Sequence, residues 1–205
     1  MHIRCENLSK RYQLGRFIIK DLNDEFSSPD VIGVSGSNGS GKSTFLRLIS
    51  GYLSPSKGKI TYTDRRGQGV VRNDIYKFVQ FAAPYDGLID YLKTEELFRY
   101  HFTFRSFYKN WDQERLRSVL NWTTFEGKYI SDLSSGMQQR LRLLLAISSS
   151  CGMLILDEPT SFLDQEGKAW CYDLIKERIS HNDTLMFIAS NDRDDLQHIT
   201  REVTF

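Results

Sequence analysis

Several kinds of signal are missing from the sequence, and each absence excludes something. No run of apolar residues approaches the length of a transmembrane helix. The N-terminus, Met1-His2-Ile3-Arg4-Cys5-Glu6, lacks the apolar stretch of a secretory signal, so the chain is expected to stay in the cytosol. Three cysteines, Cys5, Cys151 and Cys171, are odd in number and widely spaced, which fits neither a disulfide framework nor a metal knuckle. His2, His101, His181 and His198 show no metal-ligand spacing. Charge of one sign is lacking too: 27 Lys plus Arg stand against 26 Asp plus Glu, leaving a formal +1. That is not the basic footprint of a nucleic-acid binder, and no nucleic acid is expected as a partner.

What is present begins with a phosphate loop. The 205 residues, 40% apolar, suffice for one domain with room for a subdomain between motifs. Residues 36–44 read Gly-Ser-Asn-Gly-Ser-Gly-Lys-Ser-Thr and fit G-x-x-x-x-G-K-[ST] without a mismatch. Residues 31–34 ahead of them predict a strand, and residues 43–50 a helix closed by Gly51, which is the required order. Backbone N–H groups wrap a phosphate only where side chains are absent, so Gly36, Gly39 and Gly41 keep the loop open; Ser37, Asn38, Ser40 and Thr44 complete the binding run. Lys42 would reach the β- and γ-phosphates, and the Ser43 hydroxyl would complete the shell of a Mg2+ ion. The chain is expected to bind a nucleoside triphosphate.

Residues 2–6 alternate enough to predict an edge strand, residues 16–26 one or two more, and residues 58–63 another, together a small antiparallel layer beside the nucleotide. Tyr12 falls among them. A ring there can stack on a base, worth about 1–3 kcal/mol, or be an ordinary surface or core tyrosine. Residues 76–84 predict a strand ending in proline. From Thr94, read as an N-cap, the pattern turns helical, and residues 111–121 form an amphipathic helix. The aromatics from Phe98 to Trp111 interleave with Arg99, Arg105 and Lys109. Glu95, Glu96, Asp112 and Glu114 balance that charge, so the readings rank as subdomain core, then protein docking surface, then base stacking.

A leucine-rich helix follows at residues 141–147. The unbroken apolar run 153–156 predicts a strand buried on both faces, ending in Asp157-Glu158-Pro159 where open α/β sheets bind ligands. Asp157 is placed to hold Mg2+ through water, and Glu158 to orient or deprotonate an attacking water. Asp164 can cap the next helix, residues 184–189 predict another buried strand ending at Ser190-Asn191-Asp192, and residues 201–205 an edge strand.

The order and spacing of these motifs resemble the ATP-binding cassette family, the nucleotide-hydrolysing subunits of ABC transporters, over nearly the whole chain. Residues 36–44 look like its Walker A loop, Gln80 its Q-loop glutamine, residues 133–137 (Leu-Ser-Ser-Gly-Met) its signature, residues 154–158 its Walker B strand with the catalytic glutamate, residues 161–164 its D-loop, and Tyr12 its adenine-stacking aromatic. The signature, followed by Gln-Gln-Arg and standing about twenty residues before Walker B, discriminates it from other phosphate-loop enzymes. The resemblance implies an α/β phosphate-loop fold in a single domain. Residues 1–84 and 151–205 would form a RecA-like, mostly parallel core with the antiparallel β-subdomain, and about 85–150 an inserted helical subdomain.

It further implies a head-to-tail dimer with a second cassette subunit, each ATP lying between Walker A of one copy and Ser134 and Gly136 of the other, with Asp164 at the same interface. Glu158 would act on water, Lys42 and Asn191 at the γ-phosphate, and Ser43, Gln80 and Asp157 at Mg2+. The implied role is an ATPase driving a separate membrane permease, docked near Gln80 and the aromatic cluster, with the chain cytoplasmic and peripheral on the inner face of the cell membrane. Two departures stand out. Ser135 and Met137 replace the commoner signature glycine and glutamine, and Asn191 stands where the family usually has a histidine. Asparagine donates a hydrogen bond but cannot become cationic, which predicts slow hydrolysis. The alternative is a nucleotide-gated regulatory cassette that turns over weakly, or a soluble non-transport cassette.

Overall fold

The apolar runs become the middle of a parallel sheet because each of their faces meets its own core. The computed structural model describes residues 1–12, 15–85 and 87–205. In chain order these form β1 (His2–Lys10), β2 (Ile19–Ser27), β3 (Val31–Ser35), α1 (Lys42–Ile49), β4 (Lys57–Thr63), β5 (Gly69–Val70), β6 (Val79–Ala82), α2 (Thr94–Phe104), α3 (Gln113–Leu120), α4 (Ser135–Ile147), β7 (Met153–Asp157), α5 (Gln165–Ser180), β8 (Leu185–Ala189) and β9 (Arg201–Thr204). One sheet runs β6-β7-β8-β3-β9, all parallel. The other runs β2-β1-β4-β5, all antiparallel. Among the described residues no helix is long and apolar enough to cross a membrane.

Successive strand residues point to opposite faces, so β7 sends Leu154 and Leu156 into one cluster and Met153 and Ile155 into the other. In β8, Met186 and Ile188 join the first, and Leu185, Phe187 and Ala189 the second. This is why neither strand alternates in sequence. The second core lies between the two sheets around α1, where Phe26, Phe45 and Phe187 meet edge to face with centroids 5.1 to 6.1 Å apart. Full burial of each such side chain contributes about 1.5–3 kcal/mol. The first core runs from β6, β7 and β8 into α2, α3, α4 and α5 without a break, so the helical region shares its core with the parallel sheet.

Several local expectations change. β1 is not an edge strand, since it pairs with β2 on one side and β4 on the other. Residues 16–26 supply one strand, beginning only at Ile19. The strand expected at 76–84 shrinks to Val79–Ala82, because Arg72–Lys77 winds into a 3₁₀ turn. Thr94 is the first residue of α2 rather than its cap: Lys93 holds that position, its backbone N–H donating to Glu96 Oε2 at 2.8 Å, while the Thr94 hydroxyl donates to the Lys128 carbonyl at 3.3 Å. The leucine-rich helix starts earlier than expected, at Ser135, with Ser134 as its N-cap accepting from the Met137 N–H at 3.2 Å.

Candidate nucleotide site

Five parallel strands end together, and what leaves their carboxyl ends makes the site. Between β3 and α1 the chain turns through residues 36–41. Gly36 has φ 141, and a side chain there would run into the Phe205 carbonyl beside β9, so the position needs glycine twice over. The loop bounds a cavity of about 490 Å3 lined by Ser37, Asn38, Gly39, Gly41, Lys42, Ser43 and Thr44, and across from them by Tyr85, Glu158, Ser161 and Asn191. Thus α1 aims its positive end into a space already lined with N–H groups and a lysine. The Tyr12 hydroxyl lies 3.2 Å from Thr44 Oγ1, which sets a half-exposed ring at the end of the loop.

Lys42 is 7% exposed yet has no carboxylate partner among the described residues. Its ammonium donates to the Gly36 carbonyl at 2.8 Å and to Asn191 Oδ1 at 2.8 Å. An ammonium has no lone pair, so the amide oxygen of Asn191 must face it. That leaves Asn191 Nδ2 to donate to Asn38 Oδ1 at 2.6 Å and to Glu158 Oε1 at 3.0 Å. Asn191 therefore ties the phosphate loop to the carboxylate that follows β7.

Glu158 takes a left-handed φ of 49, a strain of about 1–3 kcal/mol for a residue with a side chain, and its N–H donates to the Ala189 carbonyl at 2.7 Å. The turn swings its carboxylate out of the strand line and into the cavity. Burial pushes its pKa above the usual carboxylate value, against the pull of Asn191 and Lys42. Asp157, 6% exposed, ends β7 level with Ala189 of β8.

Gln80 is the expected site residue that the fold leaves apart. It pairs with Leu154, three residues short of Asp157, which is about 10 Å back along the sheet. Its Nε2 is buried with no hydrogen-bond partner among the described residues, and the residue instead lines a groove of about 510 Å3, with Arg47, Arg72, Arg105, Tyr52 and Tyr76. Ser134 and Gly136 do not line their own chain's cavity either. They stand at the start of α4, which packs closely on the segment after β7: a Cβ at Gly136 would lie 2.9 Å from the Phe162 carbonyl, and Gln139 Nε2 donates to the Pro159 carbonyl at 2.9 Å. Asp164 caps α5, accepting from the Gly167 N–H at 2.8 Å, and faces Arg140 of α4 at 3.5 Å. Ser40 keeps its hydroxyl buried against the loop rather than in the cavity. Tyr85 and Ser190 were not proposed as site residues from sequence, and Ser161 only as the first residue of the D-loop, because only the convergence of strand ends brings them in.

This fold and cavity define a phosphate-loop ATPase of cassette architecture. Residues 19–161 match the family model described as ABC transporter. The lipoprotein-releasing system ATP-binding protein LolD of Buchnera aphidicola subsp. Acyrthosiphon pisum is 30% identical over 200 residues, covering 93% of this chain and 88% of that protein. The Nod factor export ATP-binding protein I of Rhizobium johnstonii is 32% identical over 188 residues, covering 90% of this chain and 60% of that protein. In fold, the dimeric structure of MJ0796, a bacterial ABC transporter cassette, superposes with a TM-score of 0.82 at 20% identity, covering 99% of this chain and 94% of that one. The chain belongs to the ABC transporter family. It is an ATP-binding subunit of that family, an ATPase that converts ATP to ADP and phosphate.

Proposed function

We propose that ATP hydrolysis here drives a separate membrane permease through a dimer of cassettes, with Glu158 as the base. The observation that carries this is the bridge from Lys42 through Asn191 to Glu158, which sets a partly desolvated carboxylate opposite the phosphate loop. Glu158 takes the proton of the attacking water, and Lys42 and the Asn191 amide meet the γ-phosphate once it displaces their mutual contact. Tyr12 stacks on the base, and residues 37–44 hold the phosphates. The donor set suits Mg2+: the Ser43 hydroxyl at the cavity wall and the Asp157 carboxylate at the strand end are hard oxygens, and a nucleotide-bound magnesium needs few protein ligands. When bound, it neutralises phosphate charge. Gln80 takes no part in the catalytic or metal shell of this reading.

Ser134 and Gly136, facing away from their own cavity, are left to cover the nucleotide of a second cassette, with Asp164 beside them. Residues 85–150 form the helical subdomain that carries them. The permease docks in the groove at Gln80, whose lining holds three arginines and no carboxylate. Arg105 is held between the Tyr76 and Lys77 carbonyls, and burial pushes its pKa down. A permease loop bearing carboxylates would complete that surface. The protein then works in the cytoplasm, peripheral on the inner face of the cell membrane.

Affinity purification of the Glu158→Gln variant with ATP from detergent-solubilised membranes tests the reading, with co-purified proteins identified by mass spectrometry. A multi-spanning membrane protein in near-equal amount is expected. Recovery of soluble partners alone would contradict it.

A further inference from the structure

Asp195 is a carboxylate in a place where stability alone does not ask for one. It sits in the short 3₁₀ turn Arg193–Leu196 after β8, is 4% exposed, and has no ion pair among the described residues. Burying such a group costs several kcal/mol unless hydrogen bonds repay it. Its Oδ2 accepts from two hydroxyls, Ser190 Oγ at 2.6 Å and Thr160 Oγ1 at 3.0 Å. Thr160 stands two residues after Glu158, and Ser190 directly before Asn191. One buried oxygen thus ties together the turns that leave two adjacent central strands, at the level where the candidate base Glu158 and the candidate γ-phosphate residue Asn191 emerge.

The Ser190 hydroxyl has a single proton and two contacts that could take it. Asp195 Oδ2 lies at 2.6 Å and Glu158 Oε2 at 3.3 Å, so the proton is shared in a three-centre hydrogen bond, its stronger arm to Asp195 and its weaker arm to Glu158. The oxygen also accepts from the Asp192 N–H at 3.0 Å. With its rotation fixed in this way, Ser190 presents one defined face to Glu158, whose other oxygen, Oε1, is held by the Asn191 amide. The carboxylate plane is therefore set from both edges, and one edge traces back to Asp195.

We infer that Asp195 is a positioning residue for the hydrolytic step, acting through the Ser190 hydroxyl to hold the Glu158 carboxylate in its attack geometry. The inference rests on the reading of Glu158 as the base. A side chain so placed touches neither nucleotide nor water. Its effect falls on kcat and not on nucleotide affinity, because the phosphate loop is held by other contacts.

Steady-state ATP hydrolysis by the purified full chain tests this with five proteins besides wild type. Asp195→Ala and Ser190→Ala are each expected to lower kcat about ten- to a hundredfold, while KM for ATP stays within about twofold. Asp195→Asn, whose amide oxygen still accepts from both hydroxyls, is expected to retain kcat within about threefold. Thr160→Val removes the other hydrogen bond without touching Ser190, and is expected to lower Tm while kcat stays near wild type. Ser190→Ala keeps the test open if Asp195→Ala does not fold. An inactive Glu158→Gln beside fully active Asp195→Ala and Ser190→Ala would overturn the inference alone. So would losses in Asp195→Ala that follow Tm as they do in Thr160→Val. A wild-type rate in Glu158→Gln would overturn the reading of the base and the inference with it.

Discussion

At the scale of single residues the site turns on Asn191. Its amide accepts from Lys42 and donates to Glu158, two tasks that a neutral side chain performs without adding charge. In the proposed reading the cost falls at the γ-phosphate, where charge accumulates and a cationic donor would form a hydrogen bond roughly twice as strong. Asn191→His is therefore predicted to raise kcat about tenfold, which corresponds to about 1.4 kcal/mol of added transition-state stabilisation. Phosphate release under saturating ATP measures it, and equal rates would show that the asparagine does not slow turnover. The binding loop was legible in the sequence because each of its residues is demanded locally, by a glycine's φ or by a lysine's reach. Gln80 was misplaced because its position depends on the pairing register of β6 with β7, which sequence does not display. Asp195 escaped notice for a similar reason: its partners lie 35 and 5 residues away and meet only where the strands end.

At the scale of elements, the helical region is held to the sheet by polar ties as well as by its apolar core. Arg178 of α5, 2% exposed, donates to the Ile147 and Ser149 carbonyls at the end of α4, and its guanidinium stacks 3.2 Å from the Tyr108 ring centroid. Tyr108 in turn donates to Asp183 Oδ1 at 2.5 Å. Burial alone would raise the Asp183 pKa, but hydrogen bonds from Tyr108, Lys109 and Thr184 outweigh it and bring the pKa down to about 2. A lowered carboxylate pKa stabilises the fold above the unfolded value and loses that contribution as pH falls through the folded one. Asp183→Asn should therefore cost about 1 kcal/mol at pH 7, solvent screening at this half-buried site included, and almost nothing near pH 2. Urea unfolding at the two pH values checks it; an equal cost at both would show that charge is not involved.

The aromatic segment was read in sequence as core first and docking surface second, and most of it is core. Tyr108 and Trp111 are buried, and Phe102 stacks on Phe107 at 3.8 Å, whereas Tyr100 and Phe104 stay exposed on α2. The buried strands β7 and β8 were legible because their apolar runs are unbroken. The central place of β1 was not, since its mixed pattern would suit an edge equally well and only its two partners decide.

At the scale of the whole molecule the account makes one structural demand. The candidate signature residues Ser134 and Gly136 stand at the start of α4, which Gln139 ties to the Pro159 carbonyl and which packs close on Phe162, yet they are absent from the cavity of their own chain. On the reading proposed above, a complete site needs two copies, and a single cassette would bind ATP without completing the machinery that cleaves it. The most direct measurement is the rate of phosphate release per protein molecule, at saturating ATP and Mg2+, across a protein concentration series that spans monomer and dimer. With a composite site, the rate per molecule is expected to climb with concentration and level off as the dimer fills. A rate per molecule that stays constant down to concentrations where light scattering finds only monomer would contradict it.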